Sequence, residues 1–199
     1  MAVKAVFFDV GETLVNEARY WAQHADRLGV APHVVWATLG VTISRGEHHR
    51  RVFERLGGDP GGDEVVYSSD DLYPDAVPCL ERLKRAGYFV GVAGNQSERL
   101  EGWARAERLP ADLVASSASW GVEKPAAEFF QRMVAETGFA PHEVAYVGDR
   151  YDNDVLPARN AGLVAVHIRR GPWGFIVGAD TADVRIDSLD ELPGAFNGV

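Results

Sequence analysis

The chain has little of several things that would decide its class outright. It has one cysteine among 199 residues, so no disulfide can form within it, and a reducing compartment, the cytoplasm, is expected. It has no run of about 18 apolar residues, the length a membrane helix needs. The short apolar start is broken by Asp9 and carries no small-residue cleavage pattern, which fits a first core strand better than a leader. Positive charge is scarce: 20 Lys and Arg face 29 Asp and Glu, a net charge of −9. That balance argues against nucleic acid and anionic membranes as partners. What remains is ordinary globular composition, with 46% hydrophobic and 25% charged residues, enough for a real core. Cys79, between Pro78 and Leu80 at the start of an apolar helix, reads as a buried thiol.

Short apolar runs alternate with helical patterns after residue 87. Strands are expected at Lys4 to Phe8, Tyr88 to Ala93, Asp112 to Ala115, Glu143 to Val147, Leu163 to Ile168 and Asp183 to Ile186. Helices are expected between them at Ser97 to Arg108, Ala126 to Thr137 and Asn153 to Asn160. Strands joined mostly through helices indicate an α/β fold, a doubly wound parallel sheet with helices on both faces. The stretch from Asn16 to Pro74 breaks the rhythm. Ala18, Trp21, Ala22, Ala25 and Leu28 share one helical face, Pro32 opens a second helix, and a third runs from Glu47 to Leu56 before the breaker Gly57 to Gly62. The expected organisation is a core of residues 1–15 and 75–199 with a small helical insert, 16–74, after the first strand.

Ligands of open parallel sheets bind beyond the carboxyl ends of the strands. The polar residues expected there are Asp9 after the first strand, Gly94-Asn95 after the second, Lys124 before Pro125, and Gly148-Asp149 followed by Asn153-Asp154. Three carboxylates and one ammonium on one edge would be costly without a bound cation and anion. Oxygen ligands of this kind suit Mg²⁺, which keeps waters and pairs with phosphate.

The order Asp9-x-x-x-Thr13-Leu14, Gly94-Asn95, Glu123-Lys124-Pro125 and Val147-Gly148-Asp149-x-x-x-Asn153-Asp154 resembles the four motifs of the haloacid dehalogenase superfamily, in its helical-cap subclass. The resemblance implies a Rossmann-like core and a Mg²⁺-dependent phosphatase of a small phosphate ester or acyl phosphate. Asp9 would be the nucleophile that forms an aspartyl-phosphate, and Lys124 would stabilise the transferring charge. Asp9, the backbone carbonyl of Gly11, Asp149 and Asp154 would hold the metal. Gly94, Asn95 and Lys124 would bind the phosphoryl group.

Two departures from the pattern matter. The family's phosphatases usually carry a second aspartate two residues after the nucleophile, which protonates the leaving oxygen; here that position is Gly11. Glu12 is next in line, but one step further round a turn it should point elsewhere. Gly94 stands where a Ser or Thr hydroxyl usually binds the phosphoryl oxygen. These losses keep two alternatives open: a silent Mg²⁺- and anion-binding domain with a regulatory role, and a 2-haloacid dehalogenase acting without metal. His24, His33, His48 and His49 match no zinc spacing, and Arg45, Arg50, Arg51 and Arg55 read as a solvated helical face. The Gly171-Pro172-Trp173-Gly174 segment reads either as a plain turn or as a loop bordering the site.

Overall fold

The computed structural model describes residues 2–59 and 67–196. The Gly57 to Gly62 breaker therefore lies partly outside the described residues, as does a short stretch of the insert after it. The strands are β1 (Ala5–Phe8), β2 (Phe89–Gly94), β3 (Leu113–Ser116), β4 (Val144–Gly148), β5 (Val164–Ile168) and β6 (Val184–Ile186). They form one sheet in the order β3-β2-β1-β4-β5-β6, with every pair parallel. Each expected strand is present within about a residue.

β1 explains the layering. All four of its residues are fully buried, as a central parallel strand requires. Val6 and Phe8 face one side, packing with Leu80, Leu83, Val147 and Val166. Ala5 and Phe7 face the other, packing with Phe129, Phe130, Met133 and Tyr146. This alternation puts one apolar layer on each face of the sheet.

Helix α1 (Ala18–Leu28), α2 (Pro32–Ser44) and α3 (Arg51–Arg55) follow β1, and α4 (Ala76–Arg85) returns the chain to the sheet. The first three share their own apolar cluster, built on Trp21, Ala25, Val35, Leu39, Ile43, Val52 and Phe53. Helix α3 is shorter than the sequence pattern suggests, because His48 to Arg50 form a turn rather than its first residues. Helices α5 (Arg99–Ala106), α6 (Ser117–Trp120), α7 (Ala127–Thr137) and α8 (Leu156–Asn160) cover the sheet. A π-helical turn at Tyr151–Val155 precedes α8, where an ordinary helix from Asn153 was expected. Gly171–Ile176 is not a plain turn but a short helix, α9, opened by Pro172. Its Trp173 joins the cluster of the three inserted helices, tying that layer to the sheet edge. Helix α10 (Leu192–Ala195) is the last element among the described residues, with Leu192 in the first apolar layer. No helix among the described residues is long and apolar enough to cross a membrane.

Cys79, on α4, is fully buried, and burial pushes its thiol up to about 12. A thiol held protonated and covered is inert. The native protein is expected to leave a thiol-specific chromogenic disulfide reagent unreacted, whereas the urea-unfolded chain consumes one equivalent. Rapid stoichiometric reaction of the native protein would contradict the burial.

Candidate active site

The strand order reverses at β1, whose successor β2 lies on one side and β4 on the other. The crevice beyond the carboxyl ends of β1 and β4 is therefore the place this fold leaves for a ligand. Asp9 extends from β1 there, its N–H donating to the Val147 carbonyl at 2.9 Å. Asp149 follows β4 directly, and the π-helical turn carries Asp154 back over it. One oxygen from each of Asp9, Asp149 and Asp154 falls within 4.8 Å of the others, and all three residues are buried.

Lys124 enters the cluster from the segment before α7. Its Nζ lies 2.8 Å from Asp9 Oδ1 and 2.6 Å from Asp154 Oδ1. The lysine is buried, and burial works against its charge. Asp154 and Asp9 outweigh that and hold Lys124 above the ordinary lysine value. Burial likewise pushes Asp154 up to about 6, opposed by Lys124 and reinforced by Asp9. Asp149 is pushed well above the carboxylate range by burial, then by Asp154, Asp9 and Glu12. One ammonium does not neutralise three carboxylates. Asp149 Oδ2, buried and without a hydrogen-bond partner, is the atom that shows the deficit most directly. An oxygen-only donor set with an unpartnered carboxylate oxygen fits a hard divalent cation such as Mg²⁺.

The neighbouring glycines and amides have specific work. At Gly94 a Cβ would lie 2.6 Å from Asp9 Oδ1, so a side chain there would press on the carboxylate that Lys124 holds. The Asn95 side chain is committed at both ends, its Oδ1 accepting from the Lys124 N–H at 2.7 Å and its Nδ2 donating to the Lys124 carbonyl at 2.9 Å. It thus clamps the lysine segment, a use different from the direct anion contact expected of it. Asp154 is similarly occupied, Oδ1 by Lys124 and Oδ2 by the Arg150 N–H at 3.0 Å. His167 Nε2 donates to the Asp149 carbonyl at 3.1 Å and steadies the end of β4.

Glu12 does point elsewhere. Its backbone has a positive φ of 50°, Tyr73 Oη donates to its Oε2, and the Glu17 N–H donates to its Oε1 at 3.0 Å. Glu17, Tyr20, His49, Arg150 and Trp173 line a cavity of about 710 Å³ together with Asp9, Lys124 and Asp149. Sequence reasoning passed over Glu17, Tyr20 and Arg150, set His49 aside, and read the Trp173 segment as a plain turn or a loop bordering the site. Glu17 is pushed up to about 8, by burial first and then by Glu12 and Asp9, against Trp21 and Arg150. The Arg150 guanidinium rests on the Trp173 ring, 4.7 Å from its centroid, and pairs with Asp152 at 2.8 Å. Burial, helped by His48 and Arg150, pushes His49 down to about 3, so it is neutral at physiological pH. Arg50 reaches the cavity rim; Arg51 and Arg55 instead pair with Glu47. Neighbouring pairs such as Glu54–Arg51 leave that helix face largely solvated, as expected.

The chain is similar to several known proteins. The family described as haloacid dehalogenase-like hydrolase matches residues 3–162. The chain is 31% identical to a glyceraldehyde 3-phosphate phosphatase of Methanopyrus kandleri, across 96% of this chain and 95% of that protein. It is 37% identical to a phosphoserine phosphatase of Thermus thermophilus, across 84% and 70%. Its fold also resembles the solved L-2-haloacid dehalogenase of Xanthobacter autotrophicus, at 20% identity, 96% and 97% coverage and a TM-score of 0.68. Shared fold alone therefore does not separate the two chemistries.

Proposed function

Because the chain belongs to the haloacid dehalogenase-like hydrolases, we propose that it is a Mg²⁺-dependent phosphatase of a small metabolite, with Asp9 as its nucleophile. The observation that carries this reading is the charge arrangement beyond β1 and β4. Three buried carboxylates share one lysine, and Asp149 keeps an unpartnered oxygen. A metal-free displacement at carbon has no use for that third carboxylate, whereas a phosphoryl-transfer site does. The two phosphatases named above are similar over most of this chain.

In this reading Asp9 attacks phosphorus in line, forming an aspartyl-phosphate as the leaving oxygen departs, and water then displaces Asp9. Lys124, fixed by Asn95 and Asp154, stabilises charge on the transferring group. Asp9, Asp149 and the Gly11 carbonyl would hold Mg²⁺, with Asp154 contributing through waters or through Lys124. The bound ion would neutralise and orient the phosphoryl oxygens. Backbone N–H groups after Gly94 take over from the missing hydroxyl, since the Asn95 amide is already engaged. Residues 16–74 act as a cap over the core of residues 1–15 and 75–199. The cap wall of the cavity, with Tyr20, His49 and Arg50, selects the substrate.

The bare Gly11 favours one second reading, a Mg²⁺- and anion-binding domain without turnover. The test is phosphate release from glyceraldehyde 3-phosphate, phosphoserine and acetyl phosphate, with Mg²⁺ and after chelation, beside halide release from 2-chloropropionate. Release of phosphate that chelation abolishes and Mg²⁺ restores is the expected result. Metal binding with no turnover would favour the silent domain, and metal-independent halide release would overturn the phosphatase.

A further inference from the structure

Gly11 leaves the usual proton-transfer position without a side chain, yet the space beside it is not empty. A Cβ built on Gly11 would lie 2.4 Å from Glu17 Oε1 and 2.9 Å from Glu17 Cδ. The carboxylate of Glu17 thus fills the volume into which a side chain at position 11 would project. An aspartate at 11 would have to displace the Glu17 carboxylate from where it now lies, so in this chain the carboxylate of Glu17 occupies the place of the one that position 11 lacks.

The chain brings Glu17 back by a closed loop. Val10 O accepts from the N–H groups of Leu14 at 3.0 Å and Val15 at 2.9 Å, and Glu12 N–H donates to Val15 O at 2.7 Å. Asn16 N–H is tied to the Asp71 carbonyl at 2.7 Å. Glu17 N–H is tied to Glu12 Oε1, and Glu12 is itself held by Tyr73. The bland role for an acidic residue in this place is to cap a helix, but Glu17 makes no capping bond to α1. Its side chain instead lines the same cavity as Asp9.

We propose that Glu17 is the proton-transfer residue of the site, standing in for the carboxylate that position 11 lacks. The proposal rests on the phosphoryl-transfer reading above. In the first step the bond from Asp9 to phosphorus forms and the bond from phosphorus to the leaving oxygen breaks, while the Glu17 carboxyl gives its proton to that oxygen. In the second, water bonds to phosphorus and the Asp9–phosphorus bond breaks, while the Glu17 carboxylate takes the proton from water. Glu17 ends each cycle protonated, as it began.

General acid catalysis matters most where the leaving group is poor. The test compares the wild-type enzyme with the near-isosteric Glu17→Gln in saturating Mg²⁺, on phenyl phosphate and on 2,4-dinitrophenyl phosphate. For Glu17→Gln, kcat on phenyl phosphate is expected to fall ~10²-fold or more, with a far smaller loss on the dinitrophenyl ester and little change in KM. The double variant Gly11→Asp, Glu17→Gly returns a carboxylate to the vacated volume and is expected to recover much of the phenyl phosphate rate. Circular dichroism and thermal unfolding check that each variant folds. Equal loss on both esters, or no loss on either, would overturn the assignment while leaving the phosphatase intact. A wild-type enzyme inert on both esters and on the metabolite phosphates above would instead bring down the phosphatase reading, and Glu17's role with it.

Discussion

Asp9→Asn is expected to reduce Mg²⁺-dependent phosphate release to background, a loss of about 10⁶-fold if it acts as removal of a covalent nucleophile does elsewhere. The substitution keeps the shape of the side chain and an oxygen that can still accept from Lys124 Nζ, now 2.8 Å from Asp9 Oδ1. It removes the charge that makes the oxygen nucleophilic. It also removes one of three carboxylates that repel one another around a single ammonium, so the metal-free variant should fold at least as well as the parent. Loss of activity without loss of fold is the informative combination. A direct check uses substrate labelled in the phosphoryl group and an acid quench: the parent should retain label on the protein and Asp9→Asn none. Label retained by Asp9→Asn would place the covalent step on another residue.

How much of this was legible in the sequence depends on what kind of signal each feature leaves. The sheet was legible because β1, β2, β4 and β5 are apolar runs buried on both faces, a pattern that survives without three-dimensional information. Asp9, Lys124, Asp149 and Asp154 were legible because each follows a strand or opens a helix in a recognisable order, and the structure brings these four within hydrogen-bonding or ligand-sharing distance. Glu17 left no such signal. It lies eight residues beyond Asp9, and its return depends on several N–H groups converging on the Val10 carbonyl, which no periodicity encodes. The clue available was indirect: a glycine where a carboxylate was expected, with an acidic residue at the start of the next helix. Asn95 was found in the right place but with a different task, because only coordinates show both ends of its amide spent on the Lys124 backbone. Arg150 was passed over because it sits between two aspartates of a motif that drew attention to them. The structure turns its guanidinium onto Trp173 at the cavity wall.

Lys124→Met is the substitution expected to cost the fold most. Its side chain is 1% exposed, and those of its partners Asp154 and Asp9 are 0% and 11% exposed. Removing one member of a buried pair leaves the rest uncompensated, and typically costs ~3–5 kcal/mol. Here the remainder is three carboxylates rather than one. The sign with pH follows from which groups then take up protons. Asp154 already sits at about 6 with the lysine present, and losing that cation raises it further. At pH 8 the orphaned carboxylates of Lys124→Met must either carry charge and repel or keep protons that the unfolded chain has released, so the destabilisation is greatest there. As pH falls towards 5 they take up protons, the repulsion fades, and the gap to the parent should narrow. Mg²⁺ should narrow it at pH 8 as well, since a divalent cation answers the same excess of negative charge. Arginine is no remedy, because its planar fork cannot occupy the space of a single ammonium beneath Asp9 and Asp154. Urea denaturation of the parent and Lys124→Met at pH 5 and pH 8, with and without Mg²⁺, measures all of this. A gap that is the same at both pH values and indifferent to Mg²⁺ would mean that Lys124 contributes packing over the Tyr146 ring, 5.3 Å from its Nζ, rather than charge.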